Sequence, residues 1–370
     1  MTPVEFRRHL HSHPELSFRE EQTARFIGSM LTAEGIEWCS VAGTGIVAKI
    51  EGRRTEARRR TMAAVLRADI DALPIEEAVE CQWRSQNRGV MHACGHDMHA
   101  AVLFGVLQRL NRERDFAGTV FGLFQPGEEC NPGGAQGVLA EKPFDGYDVK
   151  AVIGAHVEAG MEVGTFGFCP GQFMASNDEL RFTVTGKGGH AAVRSRLTDP
   201  VVAAAELIVR LSELNSDDCV VSTGRVTADG ATNVIPDEVR TEGTMRTFSE
   251  ELRRRTKHEI ELIAGRIDAA HGTVTAVDIN EGYPCVVNDP QLTRTAEALA
   301  REHFKAVSLP RRATSEDFGR YSEVWPSLFY RFGAGIDSGA THTSRFAPDE
   351  RAIAKGIEFM EMLVKRILNE

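Results

Sequence analysis

Five side chains that can bind a metal ion or transfer a proton lie within one short segment, MHACGHDMHA at 91–100. They are His92, Cys94, His96, Asp97 and His99. Thiolate, imidazole and carboxylate groups are the protein ligands of zinc and other borderline transition metals. Because Cys94 and His96 are two residues apart, an extended backbone presents both side chains on one face. The spacing therefore predicts a metal site and not a chance group of histidines at the start of a helix.

Four other segments carry polar side chains at the ends of predicted strands. These side chains are Asp69 and Asp71 in RADIDALP, Glu128 and Glu129 in QPGEE, His156 in GAH, and His342 in THTSRF. The carboxyl ends of parallel strands meet at the crevice where open α/β sheets bind ligands, so we expect these groups to converge there. Adjacent side chains in a loop diverge, so one glutamate can bind metal while its neighbour faces the substrate water.

The elements that would position these groups follow from short apolar runs. Runs of strand length at 45–50, 63–69, 119–125 and 151–156 are typical of strands buried on both faces. The run at 97–110 predicts a buried helix, and the alternation of strand and helix predicts an α/β fold with a largely parallel sheet.

Helices and a strand of the same α/β pattern are also predicted near the two ends of the sequence. A helix is predicted over Pro3–Leu10, and a second helix begins at Ser17, where Glu20 would complete a capping box. A strand at 327–335 and a terminal helix at 350–368 return to the α/β style of the first part of the chain.

The pattern changes near residue 175. Predicted strands at 179–186, 219–223, 239–246 and 273–279 alternate with predicted helices at 200–214 and 249–270. The order β-α-β-β-α-β is that of ferredoxin-like domains with an antiparallel sheet. We therefore predict one domain formed by 1–174 and 281–370, and an inserted α+β domain at 175–280.

Composition excludes several classes of protein. The chain has 370 residues, of which 42% are hydrophobic, and a net charge of −10. The length favours two domains, and the acidic balance argues against nucleic acid as a partner. No run approaches the roughly 20 apolar residues of a membrane span. Seven scattered cysteines and an N-terminus without an apolar signal region predict a cytoplasmic protein. The basic run at 53–60 is interpreted as a solvated turn.

Together these motifs resemble the M20 metallopeptidase and amidohydrolase family, in the branch of hippurate hydrolases, N-acyl-amino-acid amidohydrolases and auxin-conjugate hydrolases. The matching segments are RRHLHSHPELSFRE at 7–20, RADIDALPI at 67–75, MHACGHDMHAA at 91–101, QPGEE at 125–129, GKGGHAA at 186–192, NVIPDEVRTEGTMRTF at 233–248, SEDF at 315–318, and His342. The resemblance implies a zinc-exopeptidase-like catalytic domain with two divalent ions and an inserted lid and dimerisation domain, hence a homodimer.

The resemblance also implies roles for single residues. The metal ligands would be Cys94, His96, Glu129, His156 and His342, with Cys94 bridging the two ions. Glu128 would be the general base, and His190 on the lid would bind the scissile carbonyl. Asn233 and Arg246 would hold the substrate, although Arg246 could equally be an ordinary cation on a strand face. Asp69 and Asp71 would contact the ligands and not the ions.

The implied reaction is hydrolysis of an N-acyl amino acid, with acetyl, benzoyl or a similar acyl group, by a site holding Mn, Zn, Co or Ni. A dipeptidase or carboxypeptidase of the same family needs the same site and differs only in the pocket. A thiol enzyme that uses Cys94 as nucleophile, or a binding protein on this scaffold, are further alternatives. Departures from the family pattern at 158–160 and at 194–196 bear on the choice of substrate.

Overall fold

The structure, a computed structural model, describes residues 1–54 and 61–369. Most of the basic run predicted to be a solvated turn, residues 55–60, lies outside the described residues. The chain divides into two compact units. The first unit comprises Met1–Gly171, Val286–Pro310 and Asp317–Glu370, and the second comprises Gln172–Cys285 and Arg311–Glu316.

Both units contain helices as well as strands. The helices are α1 Pro3–Ser12, α2 Glu21–Ala33, α3 His96–Glu113, α4 Gly134–Glu141, α5 Pro200–Ser212, α6 Glu250–His271, α7 Pro290–His303, α8 Gly319–Ser322 and α9 Arg351–Asn369, with a 3-10 helix at Ala191–Arg196. The strands are β1 Glu37–Val41, β2 Gly45–Glu51, β3 Met62–Asp69, β4 Thr119–Gln125, β5 Asp148–Glu158, β6 Thr165–Phe168, β7 Gly171–Met174, β8 Asp178–Thr185, β9 Gly189–His190, β10 Cys219–Thr227, β11 Val234–Ile235, β12 Glu238–Thr247, β13 Val274–Glu281, β14 Val286–Asn288, β15 Lys305–Ser308 and β16 Ser327–Gly333.

The first unit is built on an eight-stranded sheet in the order β1-β2-β4-β3-β5-β16-β6-β15. Parallel pairing joins β4 to β3, β3 to β5, β5 to β16 and β6 to β15. The pairings of β1 with β2, β2 with β4, and β16 with β6 are antiparallel. The predicted α/β fold with a mostly parallel sheet is confirmed, with antiparallel pairings toward both edges that the apolar pattern did not reveal.

The centre of this sheet is covered by apolar residues and helices. Every residue of β4 and of β16 is buried, as expected for strands covered on both faces. Helix α3 packs against β3, α1 and α9, and Phe6 stacks on Phe104 with ring centroids 4.3 Å apart. This packing fixes the first turn of α3, where His96 lies, beside the ends of the central strands.

The predicted capping box at the start of the second helix is wrong. Helix α2 begins four residues after Ser17, and its N-cap residue, Glu20, makes no side-chain cap. The Ser17 hydroxyl instead donates to the Asp71 carboxylate at 2.7 Å. The Glu20 carboxylate accepts hydrogen bonds from the backbone N–H of Gly127 and the hydroxyl of Thr44. Both side chains that the local pattern assigned to a helix cap therefore form hydrogen bonds with segments distant in sequence.

The second unit contains β8, α5, β10, β12, α6 and β13, in the chain order of a ferredoxin-like domain. Its four-stranded sheet has the order β10-β12-β8-β13, with antiparallel pairing throughout. Residues 311–316, assigned by sequence to the other domain, belong here because the Arg312 N–H donates to the Phe173 carbonyl at 2.8 Å. Among the described helices of both units, none is long and apolar enough to cross a membrane.

Candidate metal centre

Cys94 and His96 lie on either side of a sharp turn that starts α3. Between them Gly95 is the N-cap residue, in the left-handed region with φ of 89°. A Cβ atom at this position would lie 2.5 Å from Cγ2 of Val157. Glycine is therefore needed both for the backbone conformation and for the close approach of β5. The turn brings the thiol and the first imidazole next to the strand that carries His156.

Two groups of three donor side chains share Cys94. Its Sγ lies 3.3 Å from Nε2 of His156 and 3.3 Å from Nε2 of His342. The first group is Cys94, His96 and His156, and the second is Cys94, Glu129 and His342. Within each group the donor atoms lie within 4.8 Å of one another. The structure thus brings together all five residues for which the resemblance implied metal binding.

His342 reaches the group from a loop before α9. It has a left-handed φ of 61°, and its backbone N–H donates to the Ala93 carbonyl at 2.8 Å. Its Nε2 lies 3.3 Å from Oε1 of Glu129. The neighbouring Glu129 carboxylate raises the pKa of His342. One backbone contact therefore holds this loop against the segment that carries Cys94.

Two buried atoms of the cluster that could bind a metal ion have no hydrogen-bond partner among the described residues. They are Nε2 of His96 and Oε1 of Glu129, which lie 3.8 Å apart. Nδ1 of His96 faces the carbonyl and a carboxylate oxygen of Asp71, at 2.9 and 3.1 Å. These oxygens only accept, so Nδ1 carries a proton, and Nε2 is the ring nitrogen that can bind a cation in the neutral imidazole. A cation would satisfy both unpartnered atoms, so the residues present fit a metal ion.

Asp71 and Asp69 form hydrogen bonds with residues of the cluster and with their neighbours. The Asp71 carboxylate accepts a hydrogen bond from the backbone N–H of Glu129 at 2.9 Å, in addition to its contact with His96. Asp69 accepts hydrogen bonds from Arg67 and His99. Burial opposes ionisation of Asp69, but its interactions with His96, His99 and Arg67 outweigh it and hold the Asp69 pKa well below its usual range. Both aspartates orient neighbouring side chains.

Glu128 lies at the rim of the same cluster. Its side chain is buried, with the residue 7% exposed, and Oε2 is 3.9 Å from Nε2 of His96. With His96 and Glu129 it forms a third group of possible donors. Glu128 is therefore close enough either to bind an ion or to accept a proton from a water beside one.

The protonation of Cys94 and His156 bears on the chemistry available. Burial, reinforced by the charge of Glu129, raises the pKa of the Cys94 thiol to about 12. A thiolate at this position, whether nucleophile or metal ligand, therefore needs a positive charge beside it. Burial and the charge of Arg331 hold the pKa of His156 well below its usual range, which keeps its imidazole neutral, as metal binding requires.

The other members of the 91–100 segment lie outside the two groups that share Cys94. Asp97 forms an ion pair with Arg7 at 2.6 Å and lies 2.8 Å from Nδ1 of His11. Neither ring nitrogen of His92 has a hydrogen-bond partner among the described residues, and burial lowers its pKa to about 4. Sequence reasoning missed the contacts of Arg7 and His11 with this segment, because only tertiary packing brings α1 to the start of α3.

Within the second unit, the predicted catalytic residue His190 lies next to the predicted substrate-binding residue Asn233. His190 and Val234 pair across β9 and β11, and the Asn233 carbonyl accepts a hydrogen bond from the N–H of Ala191 at 3.0 Å. Both His190 and Asn233 are exposed. Arg246 lies separately on β12, where Nη1 donates to the carbonyl of Ala313 and the hydroxyl of Ser315.

The two departures from the family pattern occupy different settings. Glu158 is the last residue of β5, two residues after His156. Arg194, Ser195 and Arg196 lie on the exposed 3-10 helix that follows His190. Neither departure replaces a residue of the donor groups.

Thiol, imidazole and carboxylate groups at the carboxyl ends of a mostly parallel sheet define an α/β protein with a candidate site for two metal ions. Residues 65–366 match the model of Peptidase family M20/M25/M40, and the chain belongs to this family.

Characterised relatives are similar over almost the whole chain. N-acetyl-L-cysteine deacetylase of Bacillus subtilis (strain 168) is 37% identical, over 99% of this chain and 88% of the relative. N-acetylcysteine deacetylase of the same organism is 36% identical, over 99% and 96%. The crystal structure of Bacillus subtilis YXEP protein, a dinuclear metal binding peptidase from the M20 family, has a TM-score of 0.88 at 35% identity, covering 99% of this chain and 97% of that one.

Proposed function

We propose that this protein is a metal-dependent amidohydrolase that uses two divalent ions to release a free amino acid and a carboxylic acid from N-acyl amino acids. The observation that carries this proposal is the pair of donor groups that share one thiol, Cys94. Membership of the M20/M25/M40 family supports it, as does the likeness to a dinuclear metal binding peptidase.

The residues that would hold the ions are those of the two groups. Cys94, His96 and His156 would bind one ion, and Cys94, Glu129 and His342 the other, so that the thiolate bridges them. A set of thiolate, imidazole and carboxylate ligands suits Mn, Zn, Co and Ni. When bound, two such ions lower the pKa of a water and polarise an amide carbonyl.

Glu128 is the proposed general base. Its carboxylate takes a proton from the attacking water and then delivers it to the departing amine, as general acid–base catalysis requires. Its burial beside His96 supports this role, because a carboxylate shielded from bulk water holds the proton in place between the two transfers.

The second unit is proposed to act as the lid and as the dimerisation domain. His190 would donate a hydrogen bond to the oxyanion that develops on the carbonyl, acting by lid closure or from the lid of a partner. Asn233 and Arg246 would hold the substrate, with the planar guanidinium suited to a carboxylate. The likeness of residues 186–192 and 233–248 to the family supports these assignments. The homodimer and the cytoplasmic location stay predictions.

The acyl group is proposed to be small. Two relatives more than a third identical over 99% of this chain are named for removal of an acetyl group from N-acetylcysteine. N-acetyl amino acids are therefore the first substrates to test, ahead of N-benzoyl amino acids. A dipeptidase or carboxypeptidase of the same family is the alternative, because it would use the same ligands and base.

The test is a substrate panel with metal-free protein to which Mn or Zn is added back. N-acetyl and N-benzoyl amino acids and dipeptides are compared by release of free amino acid. We expect hydrolysis of N-acetyl amino acids that a chelator abolishes and metal restores. Preference for dipeptides would favour the alternative. Activity that survives the chelator but is lost on alkylation of Cys94 would indicate a thiol enzyme, and no hydrolysis of any substrate would indicate a binding protein.

A further inference from the structure

His99 uses both of its ring nitrogens in hydrogen bonds inside the protein. It is 3% exposed and lies on the first turns of α3. Its Nε2 is 2.9 Å from the backbone nitrogen of Val157, which can only donate, so Nε2 accepts. The single proton of the neutral ring is then on Nδ1, which donates to the Asp69 carboxylate at 2.6 Å. His99 has ligand-like spacing with Asp69 and His96, but it has no free lone pair with which to bind an ion.

The backbone of Val157 connects His99 to His156, a residue of the candidate metal centre. Its carbonyl lies 2.7 Å from Nδ1 of His156 and therefore accepts the proton of that ring. With Nδ1 protonated, Nε2 of His156 presents its lone pair 3.3 Å from Sγ of Cys94. His99 thus holds the backbone N–H of Val157, His156 contacts the carbonyl of the same residue, and that carbonyl sets the tautomer of His156.

The other end of this chain of contacts is anchored by a buried guanidinium. Arg67 donates to Asp69 at 2.7 Å, to Asp317 at 2.8 Å and to Gln125 at 3.0 Å. Asp317 lies in SEDF and Gln125 in QPGEE, two segments that match the family. A buried array whose charges are paired holds its members in one geometry. Asp69 therefore offers His99 a fixed acceptor.

We propose that His99 is a positioning residue that holds the backbone of Val157 and, through it, the ring of His156 in the orientation that binds metal. This inference rests on the proposed function, because it assigns His156 to one of two bound ions. Groups that orient a metal ligand through hydrogen bonds typically contribute 10–100-fold to metal affinity. The effect is expected at one ion, since His156 belongs to one of the two groups that share Cys94.

Two conservative substitutions separate the two hydrogen bonds of His99. His99→Asn can keep a donor near the position of Nδ1 but removes the acceptor for Val157. His99→Gln can keep an acceptor near the position of Nε2 but removes the donor to Asp69. His92→Asn is the matched control, because it also replaces a buried imidazole of the same segment, one without a hydrogen-bond partner among the described residues.

The measurement is a titration of metal-free protein with Zn²⁺ against a competing chelator, with a melting curve of each metal-free variant. We expect His99→Asn to weaken one binding step by about 10–100-fold and to leave the other step unchanged. The weakened step should be the one that His156→Ala abolishes. His99→Gln should lose less affinity at that step, and His92→Asn should bind both ions as the wild type does.

Several results would overturn the positioning role. Unchanged affinities in His99→Asn, with only a lower melting temperature, would make His99 a structural residue. Equal weakening of both steps would show that the effect does not run through His156. If His99→Asn does not fold, the same comparison is made with His99→Leu, which also lacks an acceptor for the Val157 N–H, and wild-type affinity at the His156 step then refutes the proposal. A wild-type protein that fails to bind two ions would instead refute the proposed function.

Discussion

Replacement of Glu128 by glutamine should abolish turnover while both metal ions stay bound. Glutamine has nearly the same size as glutamate, so the change leaves no cavity beside His96. Glu128 belongs to neither of the two donor groups that share Cys94. It does form a third group with His96 and Glu129, so the substitution decides between a base and a ligand.

The expected loss in kcat follows from the proposed role of Glu128 as general base. Glutamine cannot accept the proton of the attacking water, and it cannot return that proton to the leaving amine. General acid–base catalysis typically contributes about 10²–10⁴-fold. Because Glu128 is proposed to act in both transfers, we expect a loss in kcat near the upper limit, about 10⁴-fold or ~5.4 kcal/mol. KM should change little, because the group is assigned to proton transfer and not to substrate binding.

The assay combines steady-state hydrolysis of an N-acetyl amino acid with elemental analysis of the same protein sample. Glu128→Gln should retain two ions per chain and the melting temperature of the wild type. Glu128→Asp is the control, since a shorter carboxylate can still take a proton and should retain part of the activity. Wild-type kcat in Glu128→Gln would remove Glu128 from the mechanism, and loss of an ion would make it a ligand.

Three further substitutions test other parts of the molecule. Cys94→Ala should lose at least one ion, because both donor groups share this thiol; two ions per chain by elemental analysis would show that it is not a bridge. His190→Ala should lower kcat with an effect of about 2.7–4 kcal/mol, the usual loss of one oxyanion donor, with unchanged metal content; near-normal kcat would contradict the role. Arg253→Met should reduce the free energy of unfolding by about 3 kcal/mol in chemical denaturation, since Arg253 makes two hydrogen bonds to buried Asp178 at 2.8 and 2.7 Å. Lys257 remains 3.4 Å from Asp178 and limits that loss, so an unchanged unfolding midpoint would show that the pair contributes nothing.

Much of the fold was predictable because it depends on local pattern. The run TVFGLFQ predicted a strand at 119–125, and β4 has these bounds. The run at 97–110 predicted a helix, and α3 extends from His96 to Glu113. Burial on both faces requires continuous apolar residues, and these runs are visible without knowledge of neighbours. Strand direction is not visible in the same way, which is why the antiparallel edge of β1 and β2 was not predicted.

The residue types of the candidate site could be predicted from the sequence. The sequence did not show which of these residues join the donor groups and which pair with other side chains. A single ten-residue segment supplies Cys94 and His96 to the donor groups, whereas Asp97 pairs with Arg7 and His99 pairs with Asp69. All four residues have side chains that can bind metal. The helical spacing of His96 and His99 places them on neighbouring turns of one face, a signal that could have linked them. It does not show which of the two keeps a free lone pair.

The sequence by itself determined which residues can do metal chemistry and which strands end beside them. That information lies in the identity of side chains and in short apolar runs, both of which are local. Tertiary structure alone decided the proton positions on His96 and His99, because each is set by the group that packs against the ring. The N–H that fixes His99 comes from a residue 58 positions away, and the carboxylate that holds Arg67 from one 250 positions away. Such contacts arise when strands and loops distant in sequence pack together, and no local pattern encodes them.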